Sequence, residues 1–352
     1  MFLTGIATAV PPRRFTQAEC WAALQKAPQF PQLQRSSQAL LKKVLCGENG
    51  IATRHLALSD LAEAFTLTPD ALHARFEKHA PDLAAQAAKR ALATAHLPFE
   101  QVDAIIVSSC TGYLCPGITS YVSERLGLRR DVQSLDLVGQ GCGAALPNLR
   151  TAKALLAAGG ARQILSICVE VCSAAFFLDD DPGVLVSNCL FGDGAAAVVL
   201  SDRPVTHSRR VEWKAGASHH SPAERDLLRF EQRGGMLRNV LSREVPERVA
   251  ADVRTVRTEM LLEAGLTPAD LSATILHAGG RQVLGALQRE LCLSETDLRF
   301  SSGILRDFGN LSSPFVLFAL ERALAQSAPG GWWWMSSFGA GLSCHGALFK
   351  ID

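Results

Sequence analysis

The chain repeats itself, and the repeat restricts its fold more than any other feature of the sequence. A helical segment followed by LPFEQVDAIIV in the first half is matched by a helical segment followed by LTPADLSATIL in the second. Phe191-Gly192-Asp193-Gly194 leading into AAAVVL is matched by Phe338-Gly339-Ala340-Gly341 leading into LSCHGALFK. Between these markers, a glycine turn and helix at Cys142 corresponds to Gly309-Asn310-Leu311-Ser312-Ser313 and the helix PFVLFALERALA. Three markers in the same order imply an α/β fold of two duplicated halves, 1–203 and 204–352. Halves of that kind pack about a pseudo-twofold axis, which sets Cys142 and Asn310 facing one site.

Composition narrows what such a fold can do. With 352 residues, 48% apolar and 20% charged, the chain can bury one large core or two fused ones and reads as a soluble globular protein. A net charge of +1 offers no general attraction for nucleic acid or an anionic membrane, so neither is expected as a partner. No apolar run reaches the ~20 residues of a membrane span. The opening MFLTGIATAVPPRRF lacks the basic region of a signal peptide, and a cytoplasmic protein is expected. Ten scattered cysteines fit reduced thiols rather than a metal site. A strand reading of LSICVEVC puts Cys168 and Cys172 on one buried face.

Met1 to Val10 reads as a strand ended by Pro11-Pro12. Thr16 and Glu19 have capping-box spacing and open a helix through Lys26, and a second helix runs from Ser37 to Leu45. Thr68-Pro69 starts a helix expected to break near Pro81 and resume through AAQAAKRALATA. VDAIIVSS, QSLDLV, QILSICVEV and AAAVVL read as strands. The polar stretch from Asp202 to Gly235, which includes His207, reads as surface hairpin and loop, and Pro246 opens a long helix to Ala264. Trp332-Trp333-Trp334 reads as strand core and dimer packing.

The chemistry centres on Val138-Gly139-Gln140-Gly141-Cys142-Gly143, an apolar strand turning through glycines into a helix. A helix forced by Pro147 to begin near Gly143 leaves Cys142 at its cap, where unpaired amides and the dipole favour a thiolate. A thiolate nucleophile works with a nitrogen base. His277 ends the buried-type strand SATIL, where α/β folds bind ligands. Asn310 adds an uncharged donor beside a glycine turn. A thiol, an imidazole and a carboxamide suit acyl capture followed by stabilisation of an enolate, without metal or redox cofactor.

These residues resemble those of the thiolase superfamily, and within it the chalcone synthase-like type III polyketide synthases. The resemblance is carried by Gly141-Cys142, His277-Ala278-Gly279-Gly280, Gly309-Asn310-Leu311-Ser312-Ser313, Leu190 to Ala196, and Phe338 to Gly341. It implies a five-layered αβαβα fold, a homodimer, and iterative decarboxylative condensation of malonyl-CoA onto an acyl-CoA starter, with the CoA thioesters as substrates. Cys142 then carries the starter and growing chain, while His277 and Asn310 promote decarboxylation and steady the enolate. The resemblance also implies Phe191 as gatekeeper between CoA tunnel and cavity, Cys110, Thr111 and Ala175 as cavity-shaping residues, and Cys115 as a residue lining the partner's site. Glu170 falls at a buried acidic position near the cavity.

Departures accompany the matches. Ala278 and Ala340 stand where prolines are usual, Ala340 in the loop walling the cavity. Leu41, Val44 and Glu48 occupy places where the family grips CoA phosphates with basic residues, leaving Lys42, Lys43, Arg54 and especially Arg281 as substitutes. Without such a patch an acyl carrier protein is a possible donor. The alternatives are an initiating β-ketoacyl-acyl carrier protein synthase III-like enzyme, a thiolase using Cys344 as a second cysteine, and a fold retained without turnover.

Overall fold

The computed structural model describes residues 1–206 and 209–352, so His207 lies outside the described residues. The chain opens with β1 (Phe2–Ala9) and β2 (Arg14–Thr16), followed by α1 (Gln17–Lys26) and α2 (Arg35–Cys46); β3 (Thr53–His55) then pairs with β2. Thr16 and Glu19 form the expected capping box. α3 (Pro69–Thr94) runs unbroken through Pro81, against expectation. Its alanine-rich C-terminal half is buried against the sheet, and that packing outweighs the ~3 kcal/mol that an interior proline costs.

The first half continues through β4 (Ala104–Ser108), α4 (Ile118–Leu126), β5 (Gln133–Leu137), α5 (Ala145–Ala157), β6 (Gln163–Glu170), α6 (Pro182–Leu190) and β7 (Gly194–Ser201). The second contains β8 (Val211–His220), β9 (Leu228–Arg233), β10 (Met236–Leu241), α7 (Val245–Glu263), β11 (Leu271–Leu276), α8 (Arg281–Leu291), α9 (Glu295–Phe308), α10 (Phe315–Ala325), β12 (Gly331–Gly339) and β13 (Ser343–Ile351). The stretch from 202 to 235 differs from its surface-loop reading, because β8 is an interior strand between β13 and β1. The hairpin of β9 and β10 alone matches that reading, turning at Gly234-Gly235 with both φ positive. β6 stops at Glu170, so Cys168 and Cys172 are both buried but do not share one strand face.

The duplication is visible in the ladders. β1, β7, β6 and β4 follow one another as antiparallel, antiparallel and parallel pairs. β8, β13, β12 and β11 repeat that sequence of pairings. The halves meet where β1 and β8 pair at Phe2–Glu212 and Leu3–Val211, joining nine strands in the order β11-β12-β13-β8-β1-β7-β6-β4-β5. α5 packs on β4 and β6 of its own half and on β12 and β13 of the other, while α10 packs on β11, β12, β1 and β7. These two helices form a central layer between the sheet halves, with α3 outside the first and α7 outside the second. The result is the five-layered αβαβα arrangement. Trp333 and Trp334 are wholly buried in this core.

Candidate active site

Cys142 lies in a single 3-10 turn, Gly141–Gly143, between β5 and α5. The helix starts at Ala145, two residues later than expected, which places Pro147 in the first turn where its missing N–H costs nothing. Glycine is required at 141, where φ is +56° and a Cβ would lie 2.7 Å from the Ala340 backbone nitrogen. The close approach of the Ala340 loop pins the cysteine turn against the second half. Burial pushes the Cys142 thiol up to about 12, while the Ser312 hydroxyl and a backbone amide pull the other way. The expected thiolate stabilisation is therefore outweighed in the free enzyme by desolvation.

His277 directly follows β11, its N–H donating to the Ser336 carbonyl at 2.9 Å. Its ring packs edge-on against Phe338 at 4.8 Å and Phe315 at 5.1 Å, and among the described residues neither ring nitrogen has a hydrogen-bond partner. Burial lowers this imidazole to about 3, so it is neutral at physiological pH. Asn310 lies five residues before α10 and caps a local turn, accepting the Ser312 N–H at 2.8 Å. Its Nδ2 donates to the Gly279 carbonyl at 2.9 Å, tying it to the loop after His277.

Ser312 connects these parts. Its backbone has φ +58°, a left-handed conformation that a non-glycine residue adopts at a cost and that recurs at functional sites. The hydroxyl carries one proton, and its shortest contact is the Cys142 sulfur at 3.1 Å, with Glu170 Oε1 at 3.4 Å and Cys110 Sγ at 3.5 Å. Glu170, wholly buried, is not isolated. It accepts from Ser313 Oγ at 2.5 Å, Thr111 Oγ1 at 2.9 Å, the Cys110 N–H at 3.0 Å and Ser109 Oγ at 3.2 Å. Burial raises its carboxyl above the usual range and these donors oppose the rise. Sequence reasoning named the Gly-Asn-Leu-Ser-Ser motif but gave neither serine a role.

Two cavities meet here. One, a narrow cleft of about 20 Å3, is lined by Thr111, Cys172, Ala175, Phe191 and Ser312, together with Phe176, Phe177 and Phe230. A wider one of about 530 Å3 is lined by Cys110, Thr111, Gly141, Phe76, Phe230 and Ala340. Phe191 bridges to Asn310 through its backbone. Cys115 is exposed and lines neither cavity of its own chain. Arg281 also lies outside them, with its guanidinium on the Glu48 carboxylate at 3.4 Å. Arg54 is no candidate for phosphate, because it is 3% exposed and donates to Gln17 Oε1 and to the carbonyls of Asn188 and Phe191. Cys344 is buried within β13 and lines neither cavity, which removes the thiolase reading.

Residues 11–218 match the family described as FAE1/Type III polyketide synthase-like protein, and residues 226–350 match the chalcone and stilbene synthases, C-terminal domain. The chain belongs to the type III polyketide synthase family, and is an acyltransferase of that kind. It is 31% identical over 285 residues to 3,5-dihydroxyphenylacetyl-CoA synthase of Streptomyces toyocaensis, covering 78% of this chain and 73% of that protein. It is 28% identical over 361 residues to the alpha-pyrone synthesis polyketide synthase-like Pks18 of Mycobacterium tuberculosis, covering 99% and 91%. Its fold superposes on PKS-I of the brown alga Ectocarpus siliculosus with a TM-score of 0.91 at 26% identity, covering 99% and 98%. These comparisons give no support to the initiating β-ketoacyl carrier-protein synthase alternative.

Proposed function

We propose that this chain condenses malonyl-CoA onto an acyl-CoA starter through a thioester on Cys142. The observation carrying the proposal is the continuous linkage from the Cys142 sulfur through Ser312 to Asn310, and from the Asn310 amide to the His277 loop. In the first step the sulfur attacks the starter carbonyl, His277 takes the thiol proton and returns it to the departing CoA sulfur, and the acyl group rests on Cys142. Malonyl-CoA then loses CO2, and the resulting enolate oxygen is held by N–H groups of His277 and Asn310. A neutral imidazole serves as that donor. The enolate carbon attacks the Cys142 thioester, expelling the thiolate and giving an acyl-CoA longer by two carbons. Reloading makes the cycle iterative.

The site is proposed to work in a homodimer, with Cys115 of each protomer lining its partner's site. Tyr113 and Val138 at the mouth of the wide cavity are 68% and 61% exposed, beside the edge strand β5. Apolar side chains and an open strand edge at one place are suited to a second copy. No metal or redox cofactor is needed for these steps. All ten cysteines are free thiols, in keeping with a cytoplasmic enzyme.

Purified protein given malonyl-CoA and a panel of fatty and aromatic acyl-CoA starters is expected to release CO2, CoA and pyrone- or resorcinol-like products. Asn310→Ala is expected to lower malonyl decarboxylation by at least tenfold more than it lowers starter loading, each read by mass spectrometry. Equal loss of both would refute the role given to Asn310.

A further inference from the structure

The hairpin of β9 and β10 supplies one wall of the wide cavity of about 530 Å3, through Phe230, Gln232, Met236 and Leu237, and Gly141, the neighbour of the nucleophile, lines the same space. Among the described residues this hairpin forms a two-stranded sheet of its own, separate from the nine-stranded one. An isolated hairpin is only marginally stable in water, so contacts with other elements must set where this wall stands. At the root of the hairpin the Gly341 N–H donates to the Leu228 carbonyl at 2.8 Å. Further along, side chains hold it.

Arg238, on β10, is the centre of those contacts and is 9% exposed. Its Nε donates to Asp179 Oδ2 at 3.1 Å, one terminal nitrogen to Asp181 Oδ2 at 2.9 Å and the other to Glu231 Oε1 at 2.9 Å. Glu231 belongs to the hairpin, and its second oxygen accepts from Arg229 at 2.8 Å. Asp179 and Asp181 belong to the segment that follows Phe176 and Phe177, which line the narrow cleft. Asp181 also caps α6, its other oxygen accepting the Gly183 N–H at 2.8 Å, and α6 ends at Leu190, immediately before Phe191. One guanidinium thus ties a wall of the wide cavity to the element that carries the gatekeeper. An isolated exposed ion pair contributes little. Here a planar fork meets three carboxylates largely out of solvent, and removing the cation leaves like charges facing one another. Arg233 is a poor replacement, reaching Asp179 only at 3.9 Å from a side chain that is 65% exposed.

We propose that Arg238 is a positioning residue for the number of condensations: by clamping the β9–β10 hairpin to the Asp179–Asp181 segment it fixes how far the wide cavity opens, and so how many malonyl units are added before the product leaves. The inference rests on the condensation reading given above. Each condensation lengthens the acyl chain by two carbons, and a chain that meets a fixed wall stops growing. Without the clamp the carboxylates of the two segments repel, the hairpin moves outward and further units fit.

The test uses the full-length enzyme with malonyl-CoA and, in separate reactions, hexanoyl-CoA and benzoyl-CoA, the products being resolved by mass spectrometry according to the malonyl units they contain. The readout is the ratio of products longer than the main wild-type product to that product. Arg238→Met keeps much of the aliphatic stem and removes the charge. It is expected to raise the ratio roughly tenfold, the scale on which a pocket discriminates by a methylene or so. Asp179→Asn, on the other side of the clamp, is expected to move the ratio in the same direction and keeps the test decisive if Arg238→Met fails to fold, thermal melting reporting the state of each variant. Arg238→Lys, which keeps the charge, is expected to bring the ratio back towards wild type. Loss of folded enzyme lowers every product alike and leaves the ratio unmoved, so a purely structural role does not mimic the effect. A ratio that is unchanged or falls in the folded variants, or that is the same for Arg238→Lys as for Arg238→Met, overturns the clamp while leaving condensation intact. No malonate-extended product from wild type with either starter overturns both.

Discussion

Ser312 has one hydroxyl proton to give, and it lies nearest to the Cys142 sulfur. Burial raises the thiol and lowers His277, so the free site at neutral pH holds an uncharged pair. The hydroxyl favours the anion that forms during attack. A hydrogen bond to a charged group contributes ~1.5–3 kcal/mol, so Ser312→Ala is expected to slow single-turnover acylation of Cys142 by roughly ten- to a hundredfold. Rapid-quench mass spectrometry checks this, and unchanged loading would contradict it. Cys142, His277 and Asn310 could be singled out in the sequence as candidates because each is a reactive residue type at the end of a recognisable strand or turn, and the structure sets Cys142 and Asn310 on either side of Ser312. The bond from Ser312 was not, because it depends on a left-handed backbone at a non-glycine position that no local pattern signals.

The glycine turn before α5 shows how an element places a residue. Gly141 combines a positive φ with backbone contact to Ala340. Gly141→Ala is therefore expected to cost about 1–3 kcal/mol of stability and to abolish acylation by displacing Cys142 from the hydroxyl. A thermal melt and the adduct assay measure the two effects, and wild-type loading in the variant would contradict the placement. Strands with continuous apolar runs, such as Ala104–Ser108, were readable because both faces are covered. α3 and β8 were misread for opposite reasons. Tertiary packing carried α3 across a proline, while the half-exposed side of β8 diluted its apolar alternation.

Cys142 lies on a connection of the first half and His277 and Asn310 on connections of the second, so the site exists only in the assembled molecule. That assembly buries several thiols. Burial pushes Cys142, Cys168 and Cys189 up to about 12 from an ordinary value of 9.0. The unfolded chain ionises these groups first, so their contribution to stability is complete below pH 9 and is lost as pH rises towards 12. Urea melts should show a loss of up to about 1.4 kcal/mol per pH unit for each thiol above pH 9. Cys189→Ser, remote from the reacting groups, should reduce that slope, and an unchanged slope would contradict the cause given. The repeat made the duplicated architecture legible in advance. The joining of nine strands through β1 and β8 was not, since two residue pairs decide it.

The central claim is that Cys142 carries the acyl chain during decarboxylative condensation. Wild type and Cys142→Ala should be incubated with an acyl-CoA starter and malonyl-CoA, followed by mapping of the cysteine-bearing peptide and analysis of the products. Wild type is expected to give an acyl adduct on Cys142 and a malonate-extended product, and the variant neither. Condensation persisting at the wild-type rate in Cys142→Ala, or an adduct on a different cysteine alone, would contradict it.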